Sequence, residues 1–282
     1  MKRFALICVA LVAFVVATVS SAGWILGHPV QAKIGDAPVD LNAHAVTFKS
    51  NSGSNVHGWW CPAESSRGAV LLLPGIRANR LSMIDRARFL SRAGYSVLLI
   101  DFQATGETKG EHITFGWKEN QDVLAAVNFI RASEPNARIG IIGSSLGGAA
   151  ALLAVPPLQV NAIVLEAVYP TIEIATRNRL QNYFSVFGRL MKPLLLCQLH
   201  LRLGISPNDL RPIDHIAAVH CPLLIISGAS DRNTRSGDTK MLFSAANSPK
   251  DLWLVANAGH VDLHRAASAE YESRVLAFLN KM

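Results

Sequence analysis

The sequence predicts an α/β protein: a mostly parallel eight-stranded sheet with helices on both faces and a helical lid inserted late in the chain. Three observations predict it. Short, fully apolar runs end in Gly, Pro or Asp, as strands buried on both faces of a parallel sheet do. Segments with helical spacing alternate with those runs, the pattern of repeated βα units. Finally, Gly143-Ser144-Ser145-Leu146-Gly147 stands between one such run and a small-residue helix.

The elements follow in order. Ala45–Phe48 and Val56–Trp60 flank Asn51-Ser52-Gly53-Ser54 and read as a hairpin. Gly68–Leu73 is an apolar strand that runs into Pro74-Gly75. A helix over Leu81–Ala93 and a strand over Ser96–Asp101 come next, then a helix over Trp117–Ala132 with Val123, Ala126, Val127 and Ile130 on one face. Arg138–Ile142 (strand), Leu146–Val155 (helix) and Asn161–Leu165 (strand) continue the alternation, and Pro222–Ser227 and Asp251–Val255 are two more strands. An amphipathic helix over Asp262–Asn280 closes the chain. About forty residues, 169–211, break the rhythm between two strands, and an insert of that size reads as a lid over an active site. Its apolar residues Phe184, Val186, Phe187, Leu190, Met191 and Leu194–Leu196 are interspersed with Arg177, Arg179, Arg189, Lys192 and Arg202, as on an amphipathic surface.

Residues 1–27 are read as a signal anchor or signal peptide, 28–43 as a polar linker, and 44–282 as the main domain. Lys2-Arg3 precedes a run without Asp, Glu, Lys or Arg that lasts to Lys33. Ser20-Ser21-Ala22 and Val30-Gln31-Ala32 offer cleavage sites, whereas continued apolar character through Trp24-Ile25-Leu26 favours a retained anchor. Either way the domain is expected outside the cytoplasm, in the periplasm of a bacterium, because the positive charges precede the apolar run. The net charge of +7 fits a basic soluble protein or attraction to an anionic surface. No basic stretch is interleaved with aromatics, so nucleic acid is not an expected partner. Of four cysteines, Cys8 lies in the apolar segment; Cys61, Cys197 and Cys221 have unrelated spacings and no C-x-x-C, which argues against zinc and thioredoxin-like sites. One disulfide in an oxidising compartment stays open, without a named pair.

Gly143–Gly147 fits G-x-S-x-G in its required strand–turn–helix context. Ser145 has to sit on a tight, strained turn, where bulky neighbours would clash. Glycine-rich nucleotide binding is the rival reading, but the spacing is not G-x-G-x-x-G and no P-loop Lys follows. A serine needs a base and an orienting acid, in the chain order Ser, acid, His. Asp231 follows the strand ending at Ser227, and His260 follows the strand ending at Val255, each at a carboxyl edge where open α/β sheets bind ligands. Glu166 is the rival acid. His264, four residues after His260, and the group His215, His220 and Cys221 are weaker metal candidates that lack completing carboxylates. Backbone amides of Leu146 and of Ile76, after Gly75, are the expected oxyanion donors.

These segments, with His57-Gly58-Trp59-Trp60, Asp101–Gly110 and Gly259-His260, resemble the alpha/beta hydrolase superfamily, and within it the membrane-anchored, ABHD-like and serine-aminopeptidase-like branch. The likeness covers about residues 44–280. Pro74-Gly75 stands where many members have His-Gly, and Gln103–Thr108 stands where many have Arg-Gly-His-Gly-x-Ser. The resemblance implies a Ser145–His260–Asp231 acyl-enzyme mechanism without cofactor or metal, on a small-molecule acyl ester, with the membrane met through the N-terminal segment. Amide or peptide cleavage is the second reading, and a non-catalytic binding protein the third.

Overall fold

The computed structural model describes residues 1–185 and 188–282. In chain order the elements are α1 (Lys2–Gly27), β1 (Val30–Gln31), β2 (His44–Lys49), β3 (Asn55–Cys61), β4 (Ala69–Leu73), α2 (Ile84–Arg92), β5 (Ser96–Ile100), β6 (Thr105–Gly106), α3 (Glu119–Ser133) and β7 (Ile139–Ser144). They continue with α4 (Leu146–Leu152), β8 (Ala162–Glu166), α5 (Ile172–Phe184), α6 (Gly188–Leu203), α7 (Pro212–His215), β9 (Leu223–Gly228), α8 (Ser236–Ala245), β10 (Lys250–Val255), α9 (Leu263–Ala266) and α10 (Ser268–Leu279).

The main sheet has eight strands in the order β10-β9-β8-β7-β4-β5-β3-β2. All pairs from β10 to β5 are parallel; β3 and β2 add antiparallel at the edge. The predicted fold class therefore holds. Its cause is the side-chain alternation of the central strands, whose odd and even residues are apolar alike. Leu71, Leu73, Leu98, Ile100 and Ile141 face α3 and α4 in one core. Val70, Leu72, Val97, Leu99 and Ile142 face α2 and α10 in a second. Truncating one such buried Leu or Ile to Ala typically costs about 2–5 kcal/mol.

Several elements depart from the sequence reading. The closing helix is broken at Ala267, whose φ of −149° and ψ of 51° separate α9 from α10. Helix α8 is absent from the sequence reading, because its buried residues are Asp238, Thr239 and Leu242 and show no apolar stripe. The stretch 28–43 lies along the domain instead of leading away from it. Val30 and Gln31 pair with Thr105 and Gly106 in a small parallel sheet, the Ile34 amide donates to Glu107 Oε1 at 3.1 Å, and Leu41 is buried in the second core. Two-residue pairings of this kind carry no periodic signal.

Among the described residues no helix is long and apolar enough to cross a membrane. The expectation that residues 1–27 form a membrane-spanning anchor accordingly gains no support. Helix α1 is divided. Phe4, Leu6, Ile7, Val9 and Phe14 are exposed, whereas Val19 packs with Leu180 and Met191 of α5 and α6. In the second part of the helix Val19 and Gly27 are buried against the domain, whereas Trp24 and Ile25 stay about half exposed.

Candidate active site

Strand β7 ends at Ser144 and α4 starts at Leu146, which leaves Ser145 alone on the turn, with φ 48° and ψ −105°. That conformation is rare for a residue with a Cβ and is held by its surroundings. The Ser145 amide donates to the Glu166 carbonyl at 2.7 Å, and the Ser145 carbonyl accepts from the Ala149 amide at 3.0 Å. The flanking glycines are steric requirements. A Cβ on Gly143 would stand 2.6 Å from the Gly148 backbone, and one on Gly147 would stand 2.7 Å from Leu73 Cβ. The Pro74-Gly75-Ile76 loop passes beside the turn, so close that a Cβ on Gly75 would lie 3.9 Å from Ser145 Cβ.

Asp231 and His260 follow β9 and β10, and the fold brings them together. The Nδ1 of His260 lies 2.7 Å from Asp231 Oδ2. The other carboxylate oxygen accepts the amides of Asn233 at 2.7 Å and Thr234 at 2.9 Å. The buried carboxylate is thus fixed by its own loop, and a proton on Nδ1 satisfies its remaining face. The His260 side chain keeps a quarter of its surface exposed. Among the described residues no hydrogen bond joins Ser145 to His260; such contacts are often long in unliganded sites and tighten around a substrate.

Glu166 ends β8 but points into a different environment. It is buried and accepts from Arg86 Nε at 2.9 Å, Arg86 Nη2 at 2.7 Å and the Tyr271 hydroxyl. Arg86 also donates to Asp262 at 3.0 and 3.2 Å. Burial and the adjacent Glu166 push the Tyr271 phenol well up. His264, the neighbour of His260 in sequence, stacks on Phe89 with ring centroids 5.5 Å apart and bonds Glu272 at 3.0 Å. Among the described residues no group of three or more His, Cys, Asp or Glu gathers where a metal ion could sit. Cys61, Cys197 and Cys221 are free thiols, and burial raises Cys61 to about 12 and Cys221 to about 11.

The segment Asp101–Gly110 is a buried charge network around a loop. Asp101 accepts the Arg80 amide at 2.8 Å, its guanidinium at 2.7 Å and the Glu107 amide at 3.0 Å. Arg80 also reaches Glu107 and lies 4.6 Å over the Trp59 ring. Gly106, at φ 52°, leaves room for the Asp101 carboxylate, which any Cβ there would overlap.

A cavity of about 430 Å³ opens beside Ser145. Ile76 and Leu146 line it together with Ser145; its other walls are mostly apolar and come from α5, α6 and, unexpectedly, α1. The helices of the 169–211 insert therefore stand over the serine. The sequence reading missed Ala22, Ile25 and Leu26 of α1, because that run reads as a leader, and it missed Tyr169 and Phe115 as cavity residues, because both lie in the connections ahead of α5 and α3, where no periodic signal runs. Tyr169 donates to the Phe115 carbonyl at 2.7 Å. The basic residues of the insert do not form one outer face. Arg179 lines the cavity, where desolvation pulls its guanidinium below its ordinary value, and Arg202 donates to the Ser20 carbonyl at 3.1 Å. Leu190, Tyr183 and part of Phe184 and Leu194 are exposed. Val186 and Phe187 lie outside the described residues.

A parallel sheet with a strained serine after a central strand and an acid–histidine pair after its last two strands defines a hydrolase-type scaffold. The model of the alpha/beta hydrolase family matches residues 56–274, and the chain belongs to that family. It is 31% identical over 224 residues to "Uncharacterized protein Rv2307c" of Mycobacterium tuberculosis, covering 77% of this chain and 72% of that one. It is 28% identical over 259 residues to the alpha/beta hydrolase domain-containing protein WAV2 of Arabidopsis thaliana, covering 87% and 81%. Among solved structures, the Pyrococcus furiosus esterase Pf2001 superposes with a TM-score of 0.76 at 24% identity, over 91% of this chain and 98% of that one, a likeness of fold. Family membership supports hydrolase chemistry.

Proposed function

We propose that this chain is a serine hydrolase of carboxylic esters with apolar acyl groups, working by a Ser145–His260–Asp231 acyl-enzyme mechanism. The observation that carries the reading is Ser145, strained and lining a largely apolar cavity, together with an Asp231–His260 pair 2.7 Å apart on the same edge of the sheet. Asp231 holds the imidazole with its proton on Nδ1, which leaves Nε2 to take the Ser145 proton. Ser145 Oγ then attacks the acyl carbonyl, and the amides of Leu146 and Ile76 receive the developing oxyanion. His260 returns the proton to the leaving alcohol, water enters by the same route, and the acid is released. The Pyrococcus furiosus neighbour is an esterase, which is in keeping with this reaction.

The narrower membrane-anchored branch belongs to the same proposal. The exposed apolar part of α1, preceded by Lys2 and Arg3, is suited to a lipid phase, with the domain outside the cytoplasm. Fractionation of the full-length protein tests this, and recovery in the cytosol with Met1 or Lys2 still present refutes it.

A panel of p-nitrophenyl esters tests the reaction. Each methylene buried in an apolar cavity contributes about 0.8 kcal/mol. The expected kcat/KM therefore climbs from acetate towards medium chains and then levels where the cavity ends. A steady fall beyond acetate removes the apolar-acyl reading.

A further inference from the structure

We infer that the carboxyl-terminal part of α1 is a built-in wall of the acyl pocket, retained in the working protein and limiting the acyl chain it accepts. The inference rests on the ester reading above and adds to it the residues that set chain length.

Ala22, Ile25 and Leu26 line the cavity that opens on Ser145. A second cavity, of about 280 Å³, lies along the same helix and is lined by Gly23, Trp24 and Gly27. The two adjoin: Leu26, Phe115, Ile172, Thr176 and Leu195 line both. Leu26 therefore stands at the partition between a space next to the serine and a continuation away from it. A longer acyl chain that runs from Ser145 into that continuation passes Leu26 of α1.

The helix is fastened in that place by groups of the domain. Gln198 of α6, itself buried, donates to the Val19 carbonyl at 3.0 Å. Gly23 packs so tightly on Gln198 that any Cβ there would overlap its amide. Arg202 donates to the Ser20 carbonyl at 3.1 Å. At the helix end, where carbonyls lack intrahelical partners, Arg77 donates to Ile25 and His28, and the Ile113 amide donates to Gly27 at 2.9 Å. The chain then continues without slack into β1, paired with β6. These are the contacts of an integral element. The cut expected of a leader would fall at Ser20–Ala22, which is helical here, with the Ser20 carbonyl held by Arg202 of α6. Cleavage after Ala22 would leave a charged amino group at Gly23 against a buried amide. Cleavage after Ala32 would unroof both cavities.

The test uses the full-length protein in detergent micelles, with Ile25→Trp and Leu26→Trp as separate variants. Each methylene denied burial costs about 4-fold in kcat/KM. The ratio of kcat/KM for p-nitrophenyl decanoate to that for acetate is expected to fall by at least about 10-fold in each variant. The exposed-half variant Leu6→Ala is expected to keep the wild-type ratio. Binding of the fluorescent fatty acid cis-parinarate, followed without turnover, is expected to weaken in the two Trp variants in parallel. Intact mass of the purified wild type is expected to include residues up to Gly27. An unchanged ester ratio and unchanged parinarate affinity in folded Trp variants overturn the inference. So does a mature protein that begins at Lys33, from which the whole wall is gone. If wild type cleaves no ester but parinarate binding still depends on Ile25 and Leu26, the wall stands and the proposed reaction is what fails.

Discussion

Two carboxylates end neighbouring strands on the same edge of the sheet and meet opposite surroundings. Glu166, after β8, is enclosed by Arg86, Tyr271 and, through Arg86, Asp262. Asp231, after β9, has two backbone amides on one oxygen and His260 on the other. The first carboxylate is paired with a cation that it shares with Asp262; the second is bonded to an imidazole whose side chain stays partly exposed. Topology brings both to the place where α/β sheets do chemistry. Partners decide which one holds the His260 imidazole and which one ties α2 and α10 to the sheet.

The largest expected effect tests the serine on which the comparison converges. Ser145→Ala should lower kcat by about 10⁴–10⁶-fold and abolish fluorophosphonate labelling, with an unchanged circular-dichroism spectrum. Substantial turnover by that folded variant would remove Ser145 as nucleophile. Next, Asp231→Asn should cost about 10⁴-fold in kcat, through loss of the Nδ1–H tautomer, with little change in Tm. Glu166→Gln should do the reverse: kcat within about 3-fold, but Tm lower by about 5–10 °C, because Arg86 loses its buried counter-charge. Equal rate losses in both folded variants would leave the two carboxylates undistinguished.

A third carboxylate gives the smallest effect and sharpens the contrast. Asp122 is buried, accepts the Gln103 amide at 2.8 Å and has no ion pair among the described residues. Burial raises it from 3.8 to about 6. A carboxyl that ionises less readily in the fold than in the unfolded chain contributes its stability fully below about pH 4 and loses it as pH rises through about 6. The difference in Tm between Asp122→Asn and wild type should therefore move in favour of the variant between pH 4 and pH 6, by a few degrees. Parallel Tm–pH curves would show that Asp122 ionises freely in the folded protein.

Much of this arrangement was legible in the amino acids. The central strands of the main sheet follow the apolar runs, because a strand buried on both faces has to be apolar at every position. Ser145 was legible because the turn demands Gly143 and Gly147 at fixed offsets, a steric rule written locally. Asp231 and His260 were candidates by chain order and strand position alone. What only the tertiary structure decided depends on which side chains meet across long separations. Glu166 finds Arg86, eighty positions away, and Tyr271, 105 positions away, and no local pattern announces that. Arg179 turns into the cavity instead of joining a basic outer face. The apolar run 1–27 has the composition of a leader or anchor whether its end is free or docked, because hydrophobicity records that a segment leaves water and not what it packs against. Its place beside Ser145 is set by Gln198, Arg77 and Arg202, contacts that exist only once the chain has folded.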